Sequence, residues 1–312
     1  MIVGSIRSGL VEAVHPVAVA AVDAAGTVVA FSGEVEGREF YLRSALKPIQ
    51  AAISERHGAN LGTEQLAIAG ASHRGQPVHV AYVEQMLLEV GLEAGHLRCP
   101  PDRPGSAGAD RLWASHGRSE PETVFHNCSG KHAAMLRACV ARDWSLEYTA
   151  LDHPLHGLVA GYAAEVMGRA VTPVGIDGCG VPTLRSDVVG LARAFAHVAI
   201  DPDFAHVRRA AMRYASLTRD GDRPETVIAR WFPGVVKGGA MGCIGIGWPE
   251  GGMGFAAKCW TGDGEAADVA VLSLMRDLGI VSGYPLRQLA AVMAPAVLGG
   301  GEPVGHLKVI ER

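Results

Sequence analysis

The sequence predicts an α/β protein of the α+β kind, with one antiparallel sheet built from both ends of the chain and a mostly helical middle. Three observations support this fold class. Short apolar runs bounded by turn residues occur near both ends, helical periodicity fills the middle, and 48% of the residues are hydrophobic. With 312 residues the chain can bury a large core, as one large domain or two unequal ones.

The N-terminal part predicts a β-hairpin followed by helices. Residues 17–22 and 27–31 are apolar and rich in valine, and residues 23–26 between them have turn chemistry ending in glycine. Helical spacing of apolar residues follows at 48–56 and at 77–90. We therefore expect two strands first and helices after them.

The middle of the chain predicts a long irregular loop and then four helices. Residues 98–121 are rich in Pro, Gly, Asp and Arg without periodicity, and loops of this length in compact domains are often functional. Helical patterns follow at residues 132–142, 156–167, 185–197 and 203–217.

The C-terminal part predicts a second hairpin, from strands at 241–248 and 254–260 joined by a turn at 249–252. A helix at 265–278 and a short strand at 304–310 complete the chain. Two hairpins with apolar faces are most economically covered in one antiparallel sheet. Residues 1–47 and 233–312 would form this sheet with its packed helices, residues 48–232 a mostly helical domain, and the active site would lie between them.

Composition excludes several classes of protein. The net charge is −4, with Lys+Arg 28 against Asp+Glu 32, so no basic excess is present to neutralise a nucleic acid. The first apolar residues are interrupted by Arg7, Glu12 and His15. This pattern argues against a signal peptide and a membrane span, and it favours a cytoplasmic protein. Six scattered cysteines without a secretory signal predict that most are reduced thiols in the core.

A serine and a lysine three residues apart follow the first hairpin. Ser44 and Lys47 would share one face of a helical turn, although Pro48 means that the helix proper begins only at Lys47 or Pro48. A serine hydroxyl needs a neighbouring base, and a neutral amine can serve. A lysine normally holds its proton to about pH 10.4, so this role needs a shift of roughly 3 units from burial or a second cation. The alternative is an ordinary helix start, with Ser44 near the cap and Lys47 in solvent.

Further stretches are dense in reactive residues and glycine, and together with the Ser–Lys segment they resemble the Rhizobium-type, type II-like (class 3) L-asparaginase family. The resemblance covers nearly the whole chain in the family's order. The motifs that carry it are Arg43-Ser44-Ala45-Leu46-Lys47-Pro48, Ala71-Ser72-His73, Asn127-Cys128-Ser129-Gly130-Lys131-His132, Asp152-His153-Pro154, Gly175-Ile176-Asp177-Gly178-Cys179 and Lys237-Gly238-Gly239-Ala240.

The resemblance implies a hydrolase that releases ammonia from L-asparagine through an acyl-enzyme, on a fold similar to serine β-lactamases and glutaminases. Ser44 would be the nucleophile and Lys47 its base, while Ser72 and Lys258 would form a second Ser–Lys pair. Two lysines converging on two hydroxyls would lower each other's pKa by repulsion. A homodimer is implied by the family alone.

The resemblance also implies a zinc site that modulates the chemistry, formed by Cys128, Lys131 and Cys179. Cys-x-x-Lys is not a usual zinc spacing, and a lysine must lose its proton to ligate. Two thiolates could bind the ion and lower the lysine pKa. The alternative is that both cysteines are ordinary buried thiols and Lys131 caps a loop.

The residues assigned to substrate binding are Arg43, His73, Asp177 and His132. Arg43 could hold the α-carboxylate, or only pair with Glu39 or another acid. The Asp177 carboxylate could hold the α-amino group, and the His132 imidazole could donate to a carboxylate or orient a metal ligand.

Three departures from the family pattern bear on substrate preference and on the placement of Lys258. Gln76 stands where the family usually has a glutamate, and Arg74 adds a cation beside it. Met241 replaces another usual glutamate, and the residues after Lys258 need an offset to match.

Other functions remain open at this point. One is a glutaminase, or a cysteine-dependent amidase with Cys128 as nucleophile and His132 or His126 as base. Another is a non-catalytic zinc- or redox-sensing protein on the same scaffold.

Overall fold

The computed structural model describes residues 1–172, 174–218 and 223–312. The strands are, in chain order, Ile2–Arg7 (β1), Leu10–Val22 (β2), Val28–Ser32 (β3), Phe40–Tyr41 (β4), Gly175–Ile176 (β5), Pro182–Thr183 (β6), Arg185–Ser186 (β7), Val235–Gly239 (β8), Cys243–Trp248 (β9), Met253–Cys259 (β10), Ala296–Gly299 (β11) and Glu302–Glu311 (β12).

Most of the α-helices lie between β4 and β8 in the sequence, and the last three lie between β10 and β11. They are Lys47–Ser54 (α1), Thr63–Ala69 (α2), Pro77–Leu88 (α3), Ala107–Ser115 (α4), Ser129–Ala141 (α5), Pro154–Met167 (α6), Val188–Ile200 (α7), Ala205–Arg213 (α8), Ala215–Thr218 (α9), Pro224–Trp231 (α10), Gly264–Asp277 (α11), Gly283–Gln288 (α12) and Ala290–Met293 (α13).

One antiparallel sheet contains strands from both ends of the chain, as predicted. Its order is β11-β12-β1-β2-β10-β9-β8, and β3 pairs with β2. Both predicted hairpins are present, as β2–β3 and as β9–β10, and β10 lies directly against β2. The predicted fold class, an antiparallel sheet with flanking helices and a largely helical middle, is confirmed.

The β2 strand is apolar without interruption from residue 17 to 22 because both of its faces are covered. Val17, Val19 and Ala21 belong to one core, which includes the buried side of α11. Ala18, Ala20 and Val22 belong to the other core, which includes α7 and much of the helical middle. A sheet buried on both faces requires such a continuous run instead of alternation.

The prediction of an irregular loop at 98–121 is wrong in part, because α4 lies within these residues. Ser106 caps this helix by accepting a hydrogen bond from the backbone N–H of Ala109 at 3.2 Å. The Ser106 cap outweighs the two glycines close to the helix start, which had suggested irregular backbone.

Two other helix boundaries differ from the prediction. The helix expected from residue 185 begins at Val188, because Asp187 caps it and residues 185–186 pair with β4. The helix expected at 203–217 divides into α8 and α9 at Tyr214. Although α7 belongs to the middle of the sequence, it packs on strands β2, β9 and β10.

All six cysteines are buried and reduced, as predicted. Within the described ranges, no helix has both the length and the apolar character needed to cross a membrane.

Candidate active site

The Ser–Lys segment changes backbone conformation at Arg43, directly before the serine. Residues Arg43–Leu46 form one 3-10 turn, and α1 begins at Lys47 with Pro48 in its first turn, as Pro48 predicted. Arg43 has a φ of 50°, a left-handed conformation that is uncommon outside glycine. The segment therefore turns sharply before it enters the helix.

Lys47 is completely buried and contacts Ser72. Its Nζ donates to the Ser72 Oγ at 3.1 Å, to the Ala71 carbonyl at 2.5 Å and to the Asn127 carbonyl at 3.4 Å. The bare sequence spacing suggested Ser44 as the partner of this amine. The structure instead places the amine on the serine that lies 25 residues further along.

Ser44 is partly exposed and lies beside the strand β8. A Cβ built on Gly239 would come within 2.8 Å of the Leu42 carbonyl and 3.2 Å of the Ala45 nitrogen. The Cys243 thiol donates to the same Leu42 carbonyl at 3.6 Å. Glycine at position 239 therefore lets the sheet edge approach the backbone that carries Ser44.

Lys258 lies on β10, where it contacts Met241, Phe40 and Trp260. Its Nζ donates to the Met241 carbonyl and lies 5.6 Å and 5.8 Å from the ring centroids of Phe40 and Trp260. Burial lowers the pKa of Lys258 from its ordinary value, although nearby cysteines oppose the shift. Among the described residues, its recorded hydrogen bond goes to Met241 and not to Ser72.

Arg43 and Asp177 form an ion pair with each other. The Arg43 Nε donates to the Asp177 carboxylate, and the Arg43 backbone N–H donates to the Thr183 hydroxyl at 3.2 Å. The Gly178 N–H also donates to this carboxylate, at 2.8 Å. The glycine loop at 175–180 is thereby joined to the turn that precedes Ser44. Glu39, the alternative partner weighed for Arg43, pairs with Arg169 and Arg185 instead.

His73 and His132 are both buried and hydrogen-bonded inside the protein. His73 Nε2 contacts the Ser129 hydroxyl at 2.9 Å, and His132 Nδ1 contacts the Tyr148 hydroxyl at 2.7 Å. Burial, with nearby cations, lowers the pKa of both imidazoles well below the ordinary value. Both rings are therefore neutral near pH 7.

Cys128, Lys131 and Cys179 come together, as the resemblance implied. Lys131 Nζ donates to the Cys179 sulfur at 3.1 Å, and all three side chains are buried. A hydrogen bond from Cys179 lowers the pKa of Cys128 well below its usual range, helped by the charges of Lys47 and Lys131. Burial opposes the charge on Lys131, yet the two sulfurs outweigh it and raise the Lys131 pKa.

The donor set is chemically consistent with a soft metal ion such as zinc. It provides two sulfurs and one amine in mutual contact, which is one ligand fewer than the usual four. In the described part of the chain, no group of three or more His, Cys, Asp and Glu residues has a metal-binding arrangement. Lys131 would have to lose its proton, which the two neighbouring sulfurs help to retain by raising the Lys131 pKa.

A polar cavity of about 220 Å³ opens beside Ser72. Its lining consists of Ser72, His73, Arg74, Asp102, Arg103, Gly105, Phe125, Asn127 and Arg223. Ser72 borders this space, and so does Asn127, whose carbonyl accepts a hydrogen bond from Lys47. The Lys47–Ser72 contact lies at the edge of the cavity.

Sequence reasoning missed several residues of this region. Lys237, in the Gly-rich motif, is buried and pairs with Glu225 at 2.9 Å. Arg74 and Asp102 line the cavity beside Ser72. Arg74 was noticed only as a departure from the family pattern, and Asp102 lies in the stretch predicted as an irregular loop.

Comparison with known proteins adds one extensive match. A family model described as L-asparaginase II matches residues 3–309. No curated protein matches the chain.

Three solved structures are similar to this chain at 15% sequence identity. A β-lactamase from Mycobacterium bovis has a TM-score of 0.46, with 84% of this chain and 94% of the other covered. The other two are structures of Mglu, one in its native form and one in a tris and glutamate form, with TM-scores of 0.39 and 0.38. These two matches cover 86% and 91% of this chain, and 63% and 65% of the respective Mglu chains.

Proposed function

The chain belongs to the L-asparaginase II family, a family of amidohydrolases, and from this premise we propose that it releases ammonia from the side-chain amide of L-asparagine to give L-aspartate. The observation that carries the proposal is the 3.1 Å contact between Lys47 Nζ and Ser72 Oγ at the edge of a polar cavity. A buried amine that touches a serine hydroxyl can be the neighbouring base that a serine nucleophile needs, provided that the amine is neutral.

The proposed chemistry is an acyl-enzyme mechanism. The serine oxygen adds to the amide carbon while its proton passes to the lysine amine. The C–N bond then breaks, the lysine returns the proton to the leaving nitrogen, and ammonia departs from an aspartyl ester. Water, deprotonated by the same amine, adds to the ester and releases L-aspartate with the serine hydroxyl restored.

The contact of Lys47 favours Ser72 as the acylated residue, and Ser44 is the second candidate. Lys47 links the two serines, because it follows Ser44 by three residues in sequence and contacts Ser72 in the structure. Lys258 is proposed to complete the catalytic group as a cation of lowered pKa. Its bond to the Met241 carbonyl would have to be exchanged if it acted on Ser72.

The roles assigned to the other site residues stay predictions. Arg43 and Asp177, predicted to bind the substrate, form an ion pair next to Ser44. His73 and His132 are buried, so we propose that they support the site through Ser129 and Tyr148.

Zinc is proposed to bind Cys128, Lys131 and Cys179, where it would stabilise the thiolates and hold the two loops together. The Cys128 thiolate and the neighbouring Cys179 sulfur would provide the first ligands, and Lys131 would join after losing its proton. Metal analysis of the purified protein tests this site, with Cys179→Ser expected to lower the zinc content. Homodimer formation also stays a prediction, which analytical ultracentrifugation tests.

The function is tested by measuring ammonia release from L-asparagine and L-glutamine with Ser72→Ala and Ser44→Ala. We expect replacement of the acylated serine to lower kcat at least about 10³-fold, as removal of a catalytic nucleophile does. Ser54→Ala is the matched control, because Ser54 is a buried serine on α1 whose hydroxyl, among the described residues, donates to the Gln50 carbonyl at 2.9 Å. Mass spectrometry of protein quenched with substrate locates the acyl group.

Unchanged ammonia release in both serine variants would reject the Ser–Lys mechanism. The lowered pKa of Cys128 favours a cysteine-dependent amidase as the second candidate. Loss of activity on alkylation of Cys128, with both serine variants active, would support that candidate. Bound zinc without turnover of any amide would support a sensor.

A further inference from the structure

We propose that the cavity beside Ser72 binds the amino-acid end of the substrate, with Arg74 holding the α-carboxylate and Asp102 the α-ammonium group. This inference rests on the proposed function and deepens it. Both residues line the same cavity as Ser72, so a substrate amide at the Ser72 hydroxyl would have its charged end within the same space. The volume, about 220 Å³, is below the range typical of drug-sized ligands and suits a single amino acid.

Arg74 is held in place by the loop opposite it. Its guanidinium donates to the Gly105 carbonyl, and the Gly105 N–H donates back to the Arg74 carbonyl at 2.9 Å. A Cβ on Gly105 would touch the Arg74 side-chain stem at 3.5 Å, so the loop lies directly against the arginine. A guanidinium positioned in advance can bind a carboxylate through paired hydrogen bonds without first being ordered.

Asp102 is fixed through its backbone while its carboxylate faces solvent. Its N–H donates to the Glu122 carbonyl at 3.1 Å, and its carbonyl accepts from the Glu122 N–H at 2.9 Å. One carboxylate oxygen, Oδ1, accepts from the Arg103 backbone N–H at 2.8 Å. The recorded hydrogen bonds of the described residues leave the second oxygen available to an ammonium group.

The competing assignment, Arg43 with Asp177, is less suited to this cavity. Neither of those two side chains lines the space beside Ser72. Arg74 and Asp102 carry the same two charges on the walls of the cavity that the reacting hydroxyl borders.

The test compares three amides that differ only in the charged end. L-asparagine has both groups, 3-aminopropanamide lacks the α-carboxylate, and succinamic acid lacks the α-amino group. We expect Arg74→Gln to lower kcat/KM for asparagine about 10- to 100-fold, the effect of losing hydrogen bonds to a charged group, and to leave 3-aminopropanamide nearly unchanged. Asp102→Asn should lower asparagine turnover and leave succinamic acid nearly unchanged.

Arg111→Gln is the matched control, since Arg111 is an exposed arginine on α4 outside the cavity lining. It should leave kcat/KM nearly unchanged for all three amides. An equal loss on all three amides in Arg74→Gln would overturn the inference, as would the selective loss appearing in Arg43→Gln and Asp177→Asn instead.

Calorimetric titration with L-aspartate separates this inference from the proposed function. If wild-type protein binds L-aspartate but hydrolyses no asparagine, the proposed function fails and the affinity of Arg74→Gln decides the inference. A 10- to 100-fold weaker affinity supports it. Equal affinity in both proteins, or no binding to the wild type, overturns it.

Discussion

Replacing Lys47 by methionine removes the amine that touches Ser72 while keeping an unbranched, buried side chain. The ammonium or amine nitrogen has three acceptors, one hydroxyl and two carbonyls, and all three contacts disappear. A positioned acid–base group contributes about 10²- to 10⁴-fold to a reaction, so we expect kcat to fall by that factor. This corresponds to about 3–5 kcal/mol of lost transition-state stabilisation.

The assay is steady-state ammonia release from L-asparagine, with thermal unfolding recorded for every variant. Gln50→Met is the matched control, because Gln50 is buried on the same helix and its Oε1 accepts no hydrogen bond among the described residues. Its kcat should stay close to that of the wild type. A folded Lys47→Met protein with wild-type kcat would refute the reasoning.

Lys47→Arg separates the charge from the base. An arginine keeps the positive charge but is effectively never deprotonated, so it cannot accept a proton from the serine. We expect Lys47→Arg to be nearly as inactive as Lys47→Met. If the arginine variant keeps most of its kcat, Lys47 acts by its charge and not as a base.

Three further predictions concern stability. Burial lowers the pKa of His156 to about 4. The stability that depends on the neutral His156 is therefore complete above pH 6.5 and is lost as the pH falls towards 4. In His156→Gln the acid-induced drop in unfolding free energy, measured by urea titration, should be smaller by about 3 kcal/mol. Tyr148→Phe should lower the unfolding free energy by about 1–3 kcal/mol in the same assay, because the hydroxyl bonds both an imidazole and a backbone N–H, and no change would contradict this. Gly130→Ala should cost about 1–3 kcal/mol, because a Cβ there would lie 2.5 Å from Ile68 atoms, whereas Gly157→Ala on an exposed helix face should be stabilising.

The sheet could be predicted from sequence because its signals are local. The valines of β2 and β3, the isoleucines of β9 and the turns beside these strands identify the two hairpins without reference to distant residues. The strand β8 was missed, since Lys237-Gly238-Gly239 has low strand propensity. Its place is fixed by pairing with β9 and by the close approach of Gly239 to the turn at Leu42.

The candidate site was predictable as a set of residues and not as a set of contacts. The order of the motifs indicated Ser44, Lys47 and Ser72 together, but the three-residue spacing of Ser44 and Lys47 suggested that Lys47 would serve Ser44. The contact with Ser72 depends on how α1 packs against the segment at 71–73, a tertiary arrangement that periodicity does not encode. The roles of Arg74 and Asp102 were inaccessible for the same reason, because a cavity wall is assembled from separate loops.

The pairing of β2 with β10 bears on how the chain folds during synthesis. Val22 lies opposite Gly254, so these partners are 232 residues apart in sequence. Pairs this distant close a long loop, and sheets that depend on them form slowly. At the ribosome the edge of segment 17–22 that pairs with β10 stays open until most of the chain has emerged, while the β2–β3 hairpin and the local helices can form earlier. We expect this strand to be the segment most dependent on chaperone protection in the nascent protein.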